Sequence, residues 1–247
     1  MDVLVLALAG SATALATGLG AIPVFLLGSR AERLRPFLWG TAIGLMGVAS
    51  IVGLLLPALD EGDAPAVGVG LATGIAFMLA TRTALAHRDV HVGHLRGAGV
   101  RRSLLVFGVL LVHSLPEGFA IGTAFASNTD GLALYVVLAI GLQNVPEGTS
   151  VAIPMEAAGF GAAQQFWAAV LTSVPQPVGA VVAFLVVEQV ESLLPFSFAF
   201  AAGAMLSLVA VELIPAAFRP GGRAGAAAGT AAGAALMLLL ALTLGVD

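Results

Sequence analysis

Long apolar stretches separated by short polar breaks dominate this sequence. A run of about 18 or more apolar residues can cross the hydrocarbon core of a bilayer as an α-helix. The chain contains eight such runs, and the breaks between them carry charged or turn-forming residues, as at 60–63 and 220–222. The predicted spans are 3–28, 37–59, 65–86, 103–126, 131–155, 161–187, 194–218 and 224–246. The pattern therefore predicts an all-α polytopic membrane protein with eight transmembrane helices.

Composition agrees with this assignment and limits the chemistry. Hydrophobic residues make up 59% of the 247 residues and charged residues 10%, whereas about a quarter of a soluble domain is charged. The sequence has no cysteine, which excludes disulfides and thiolate metal sites, so a metal would need His, carboxylate, amide or backbone ligands. The longest loop covers about residues 87–102. We therefore expect one transmembrane domain over residues 1–247.

The charged residues predict the orientation of the chain. With eight alternating spans, all the positively charged residues fall on one side of the membrane: Arg30, Arg33, Arg35, Arg82, Arg88, Arg96, Arg101, Arg102, Arg219 and Arg223. The acidic residues of the opposite loops and of both termini fall on the other side. The positive-inside rule makes the arginine side cytoplasmic. We expect a multi-pass protein of the cell membrane (inner or plasma) with both termini outside.

A repeated phrase lies near the middle of two adjacent spans. Residues 113–118 read His-Ser-Leu-Pro-Glu-Gly, and residues 143–148 read Gln-Asn-Val-Pro-Glu-Gly. An ionisable side chain at that depth costs about 2.5–3.5 kcal/mol on insertion scales, so it normally faces a bundle interior or a water-filled path. A proline kink or a protonated glutamate would explain one copy. Two copies on neighbouring antiparallel helices favour a function.

The spacing within each phrase indicates a metal site. Residues four apart share one face of a helix, so His113 lies on the same face as Glu117, and Gln143 on the same face as Glu147. Two carboxylates forced together in a low-dielectric interior repel each other, and a divalent cation neutralises both. The imidazole adds a ligand that suits zinc, iron and nickel. These four side chains are the predicted ligands of one divalent ion.

Other polar residues are weaker candidates. Glu212, near the cytoplasmic end of the seventh span, is either an exit-path ligand or a carboxylate that reaches the interface or pairs with Arg219. Gln176 lies between Pro175 and Pro177, which predict a break in the sixth span, and is either a weak ligand or a packing amide. The cytoplasmic loop carries three histidines: His87, His91 and His94. They form either a transient metal-handling cluster or a set of ordinary solvated side chains.

These motifs resemble those of the ZIP (Zrt/Irt-like) family of divalent-metal transporters. Residues 113–122 and 143–152 are similar to the family's fourth and fifth helices, residues 173–180 to its sixth, and residues 200–206 with 212–215 to its seventh. The resemblance implies a bundle in which helices 1–3 and 6–8 form an inverted repeat around helices 4 and 5. It also implies a mid-membrane transport site at the four predicted ligands.

Departures from the family pattern concern a second metal, which family members often hold beside the first. At the matching positions this chain has Ser114 where Asn is usual, Asn144 where Asn or Asp is found, and Gln176 where Glu is common. Val211 precedes Glu212 where two acids often stand. Without those carboxylates a second divalent ion lacks charge compensation. We predict one well-formed site, with a second that is weak or absent.

The resemblance implies a passive or proton-linked carrier that moves Zn²⁺, or a related ion such as Fe²⁺, Mn²⁺, Co²⁺ or Cd²⁺, into the cytoplasm by alternating access. The metal would be the transported substrate and the bilayer the setting; no nucleic-acid partner is expected, and a homodimer is left open. Two alternatives are a family member that senses or buffers metal without moving it, and an intramembrane metalloenzyme. The enzyme is disfavoured because the chain has no His-Glu-x-x-His motif and no cysteine nucleophile.

Overall fold

The computed structural model describes residues 3–86 and 98–246, which include eight helices long and apolar enough to cross a membrane. They are α1 (Val3–Leu27), α2 (Ala31–Glu61), α3 (Ala64–Leu85), α4 (Phe107–Ala126), α5 (Leu132–Ala157), α6 (Ala162–Gln189), α7 (Glu191–Ala217) and α8 (Arg223–Leu244). The helix that contains α4 begins earlier, at Ala98. The described residues contain no strand. The predicted all-α fold and the predicted number of spans are confirmed.

The second helix is longer than predicted because it continues beyond the apolar run. It begins at Ala31, whereas the apolar run begins at residue 37. Glu32 lies in the first turn and pairs with Arg35 at 2.7 Å, and the Arg35 guanidinium lies 5.3 Å from the centre of the Trp39 ring. An acidic residue near a helix N-terminus is favoured by the helix dipole. These charged residues therefore extend the helix instead of ending it.

Two helices are interrupted along their length. α1 consists of Val3–Leu19 and Ala21–Leu27, joined at Gly20. α6 consists of Ala162–Thr172 and Pro175–Gln189. Proline lacks the N–H that would continue the helical ladder, so the predicted break in the sixth span falls at its prolines and is confirmed. Within a membrane, such breaks require neighbouring groups that satisfy the freed backbone atoms.

Two other helices contain a π-helical turn just before a proline. In α2 the turn covers Ile51–Leu55 and Pro57 follows; in α7 it covers Val209–Leu213 and Pro215 follows. Because proline cannot donate to the carbonyl four residues earlier, a widened turn accommodates the missing hydrogen bond. Each widened turn thus has a local cause. The inverted repeat implied by the resemblance would place such turns at equivalent positions, and it stays a prediction.

Glycines allow the outer helices to pack closely in pairs. A Cβ placed on Gly40 or Gly44 of α2 would overlap the backbone of α8. A Cβ placed on Gly70 or Gly74 of α3 would overlap the backbone of α7. Small residues at such spacing let helix backbones approach each other in lipid. α2 therefore packs on α8, and α3 packs on α7.

The helices that carry the repeated phrase lie in the middle of the bundle. α4 packs against α5, α6 and α7, and α5 packs against α1, α2 and the first part of α6. By contrast, α3 and α8 are the least buried of the eight spans and present large apolar side chains outward, among them Leu79, Leu239 and Leu242. The faces of α4 and α5 that carry the phrase are therefore covered by other helices.

Candidate metal centre

The two copies of the phrase meet between α4 and α5. His113 and Glu117 of α4 and Gln143 of α5 are fully buried, and Glu147 of α5 is 4% exposed. The His113 Nε2 atom lies 3.5 Å from Glu117 Oε1 and 3.7 Å from Glu147 Oε1. The candidate ligand atoms of the histidine and the two glutamates all lie within 4.8 Å of one another. The structure thus brings the four predicted ligands to one place.

The separations suit a single ion. A tetrahedral Zn²⁺ with ligands at about 2.0–2.2 Å holds neighbouring ligand atoms about 3.4 Å apart. The distances from His113 Nε2 to Glu117 Oε1 and Glu147 Oε1, 3.5 and 3.7 Å, are close to that value. Among the described residues, this is the one group of three or more His, Cys, Asp or Glu side chains arranged to hold a metal. Small movements would bring the ligands into contact with an ion.

Several of these ligand atoms are buried without a partner. Within the described part of the chain, no hydrogen bond reaches Nδ1 or Nε2 of His113, Oε1 of Gln143 or Oε1 of Glu147. A buried polar atom left without a hydrogen bond costs about 1–3 kcal/mol. Four such atoms in one place are difficult to explain as packing. A cation bound to one imidazole nitrogen and the two oxygens would satisfy three of these four atoms.

Glycines next to the glutamates let two more helices close around the site. A Cβ on Gly118 would overlap the Gln176 carbonyl of α6, and a Cβ on Gly148 would overlap the Thr17 carbonyl of α1. Each Pro-Glu-Gly sequence therefore places a proline inside a continuous helix, a candidate ligand and a close helix contact in three consecutive residues. As a result α6 lies against α4, and α1 against α5, next to the ligand group.

Amide groups of α5 and α6 donate to Glu117. Gln143 Nε2 donates to Glu117 Oε1 at 2.6 Å, and Gln176 Nε2 donates to Glu117 Oε2 at 2.5 Å. Asn144 and Gln176 also bind each other, through Asn144 Nδ2 to Gln176 Oε1 at 3.1 Å and Gln176 Nε2 to Asn144 Oδ1 at 3.3 Å. Asn144 and Gln176 therefore lie beside the ligand group and form a neutral pair there.

Ser114 has a different neighbour. Its hydroxyl lies 3.0 Å from the Leu110 carbonyl and 2.8 Å from the Thr172 carbonyl, and its one hydrogen is shared between these two backbone oxygens. Thr172 is the last residue of the first helical part of α6. Ser114 thus satisfies a backbone group at the break in α6. A role for it in binding a second metal stays a prediction.

Two threonines of α1 were missed by the sequence analysis. Thr13 Oγ1 donates to Gln176 Oε1 at 2.9 Å, and the Thr13 carbonyl accepts from Asn144 Nδ2 at 2.7 Å. The Thr17 and Ser173 hydroxyls share a hydrogen bond of 2.7 Å. The one available signal was the spacing of the two threonines, which are four residues apart on one face of an apolar helix.

The remaining candidates lie elsewhere. Glu212 lies in the π turn of α7 and forms an ion pair with Arg82 of α3. Among the described residues this is the ion pair that Glu212 makes, so the expected alternative of pairing with Arg219 is wrong. The Arg82 and Glu212 side chains are 48% and 37% exposed, and a role in ion exit stays a prediction. The loop histidines His87, His91 and His94 lie outside the described residues.

Comparison with known proteins gives consistent matches. The sequence profile of the family described as ZIP zinc transporter matches residues 80–241. The zinc transporter GufA of Myxococcus xanthus is 32% identical over 245 residues, which cover 93% of this chain and 95% of that protein. The zinc transporter ZIPB of Bordetella bronchiseptica is 35% identical over 250 residues, 96% of this chain and 81% of that protein. A longer protein of Arabidopsis thaliana is 34% identical over 215 residues, and the match spans 34% of its length.

Proposed function

The chain belongs to the ZIP zinc transporter family, and from that premise we propose that it carries Zn²⁺ or a similar divalent cation through the site between α4 and α5. One observation supports this proposal above the others. The imidazole of His113 and the oxygens of Gln143 and Glu147 are buried beside Glu117 with ligand atoms that lack a hydrogen-bond partner among the described residues. A bound dication would satisfy these atoms and balance the two carboxylates.

The donor set determines which ions are suitable. One imidazole, two carboxylates and one amide oxygen suit zinc and also accept Fe²⁺, Mn²⁺, Co²⁺ or Cd²⁺, whereas soft monovalent copper prefers sulfur. Glu117 and Glu147 carry two negative charges that one divalent ion neutralises. A monovalent ion would leave a net charge in the buried site, which is unfavourable at low dielectric. We therefore assign the substrate as a divalent metal ion.

The transport step follows from the helices that the polar contacts connect. Hydrogen bonds from Thr13, Asn144 and Gln176 connect α1 and α6 to the ligand-bearing helices. We expect α1, α4, α5 and α6 to move together against the paired outer helices and so to present the site to each side in turn. The positive-inside rule assigns the arginine-rich loops to the cytoplasm, and we propose that the ion enters from the opposite side and leaves on the arginine side.

Flux measured in liposomes tests the function. We expect the purified protein in liposomes loaded with a zinc-sensitive dye to give saturable Zn²⁺ entry. Each chain has one buried site, so the rate reaches a maximum when all sites are occupied. Empty liposomes are the control. Zinc binding without entry would support a sensor or buffer instead, and the absence of both binding and entry would contradict the proposal.

The number of bound ions tests the predicted single site. We expect one Zn²⁺ per chain in protein dialysed against zinc and analysed by elemental mass spectrometry. The reason is that Asn144 and Gln176 are neutral and hydrogen-bonded to each other beside Glu117, so a second dication would find no uncompensated charge. The Glu117→Gln/Glu147→Gln double variant provides the background. Two tightly bound ions per chain would contradict the prediction.

A further inference from the structure

In the proposed carrier, Glu117 is one of the ligands of the ion, and the number of its oxygens that can reach the ion depends on the neighbouring amide groups. We propose that Thr13, acting through Gln176, is a positioning residue that keeps one oxygen of Glu117 away from the ion and so favours ions of low coordination number. The inference rests on the proposed function. It concerns selectivity between divalent ions and leaves the set of four ligands unchanged.

The first step is the orientation of the Gln176 side chain. Its Oε1 accepts hydrogen bonds from Thr13 Oγ1 at 2.9 Å and from Asn144 Nδ2 at 3.1 Å. An amide oxygen has two lone pairs, so both are used. The NH₂ group is thereby directed to the other side, where it donates to Glu117 Oε2 at 2.5 Å and to Asn144 Oδ1 at 3.3 Å. The amide of Gln176 cannot turn over without losing these four contacts.

The second step is the support that Thr13 gives to this arrangement. Its backbone carbonyl accepts from Asn144 Nδ2 at 2.7 Å. Its hydroxyl lies 2.9 Å from Gln176 Oε1 and 2.8 Å from the Gly10 carbonyl, and its one hydrogen is shared between these two oxygens. One residue of α1 thus holds both members of the amide pair. Thr13 is 2% exposed, and Asn144 and Gln176 are fully buried. In such a buried site a hydrogen bond is electrostatically stronger than in water, so the orientation is well determined.

The third step is the consequence for the ion. Both oxygens of Glu117 accept from an amide, Oε2 from Gln176 and Oε1 from Gln143. Gln176 is held by its other contacts, whereas Gln143 Oε1 has no partner among the described residues. Gln143 can therefore turn its oxygen to the ion and release Glu117 Oε1, which lies 3.5 Å from His113 Nε2. Together with Gln143 and Glu147 this makes four ligand groups, and four tetrahedral ligands are the usual shell of Zn²⁺. Ions such as Mn²⁺ prefer six oxygen ligands and would require a bidentate carboxylate or added water. The amide cluster therefore favours Zn²⁺ over Mn²⁺.

The test compares two substitutions of Thr13, one that removes the hydroxyl and one that keeps it. Thr13→Val keeps the shape of the side chain and removes the hydroxyl, whereas Thr13→Ser keeps the hydroxyl. In liposome flux with Zn²⁺ and Mn²⁺, we expect Thr13→Val to lower the ratio of the two kcat/KM values about threefold to tenfold, the effect of one lost buried hydrogen bond. Thr13→Ser should keep the wild-type ratio. Gln176→Met, which removes the donor to Glu117, should lower the ratio at least as far.

A spectroscopic measurement reports on coordination without transport. With Co²⁺ as the probe, the wild type and Thr13→Ser should show the intense visible bands of a four-coordinate ion, and Thr13→Val and Gln176→Met the weak bands of a higher coordination number. Wild-type ion ratios and wild-type spectra in Thr13→Val and Gln176→Met would overturn the inference, and the proposed zinc transport would still stand. A wild type that neither binds nor moves any of these ions would instead overturn the proposed function, and this inference with it.

Discussion

Glu147→Gln is expected to abolish Zn²⁺ uptake into liposomes that contain the purified protein. The substitution keeps the size and shape of the side chain and removes one of the two negative charges that balance the ion. Glu147 is 4% exposed, and its Oε1 lies 3.7 Å from His113 Nε2. Removing one partner of a buried charge pair costs about 3–5 kcal/mol. At about 1.4 kcal/mol for each factor of ten, the initial rate at low zinc should fall by about two to four orders of magnitude.

The same substitution at a second glutamate provides the control. Glu188 lies near the end of α6 with an exposed side chain, so Glu188→Gln removes a charge in contact with solvent and outside the buried ligand group. We expect it to keep the wild-type rate. Among the described residues Glu147 Oε1 has no hydrogen bond to lose, so the zinc-free Glu147→Gln protein should also keep the melting temperature of the zinc-free wild type. Zinc uptake by Glu147→Gln within tenfold of the wild type would contradict the assignment of this ligand.

The ligand group could be predicted from the sequence because its geometry is mostly local. Helical spacing alone places His113 with Glu117 and Gln143 with Glu147. The repetition of Pro-Glu-Gly at matching depth then suggests that the two faces turn toward each other. The structure confirms that the four side chains meet and that all are buried. That they bind the transported ion remains the proposal tested above.

The support that α1 gives to the site could not be predicted in the same way. A threonine in a helix commonly donates to the carbonyl three or four residues earlier, as Thr41 does to Phe37 at 3.0 Å and Thr73 does to Val69 at 2.9 Å. Thr13 makes the same local contact, with its hydroxyl 2.8 Å from the Gly10 carbonyl, and in the sequence it is indistinguishable from these. Its contact with Gln176, 163 residues away, depends on which face of α1 packs against α6. Helical periodicity does not contain that information.

The bounds and bends of α2 show a second limit. Hydropathy locates the apolar run that begins at residue 37, but the helix begins at Ala31 because backbone hydrogen bonds continue through the charged turn. The π turn over Ile51–Leu55 precedes Pro57. A proline indicates that a helix is perturbed, and the surrounding packing decides whether the response is a kink, a break or a widened turn.

Gly148→Ala is the substitution from which we expect the largest structural effect. A Cβ at this position would overlap the Thr17 carbonyl of α1 and would lie 3.2 Å from the Cα of Gly20. Backbone atoms cannot rotate away as a side chain can, so α1 and α5 would have to separate. Overpacking of a close contact typically costs about 1–3 kcal/mol. We expect a lower melting temperature in detergent and weaker zinc binding, because α1 also carries Thr13.

Gly47→Ala is the matched control for this prediction. Gly47 also lies within a helix, α2, and no atom of the described residues lies within 4 Å of a Cβ placed there, apart from its own neighbours. Since alanine is favoured over glycine inside a helix by about 0.5–1 kcal/mol, this variant should be as stable as the wild type or slightly more stable, with zinc binding unchanged. Equal melting temperatures and equal zinc affinities for Gly148→Ala and Gly47→Ala would mean that the added methyl group is tolerated at both positions. The close approach of α1 to α5 would then not be what holds the ligand group together.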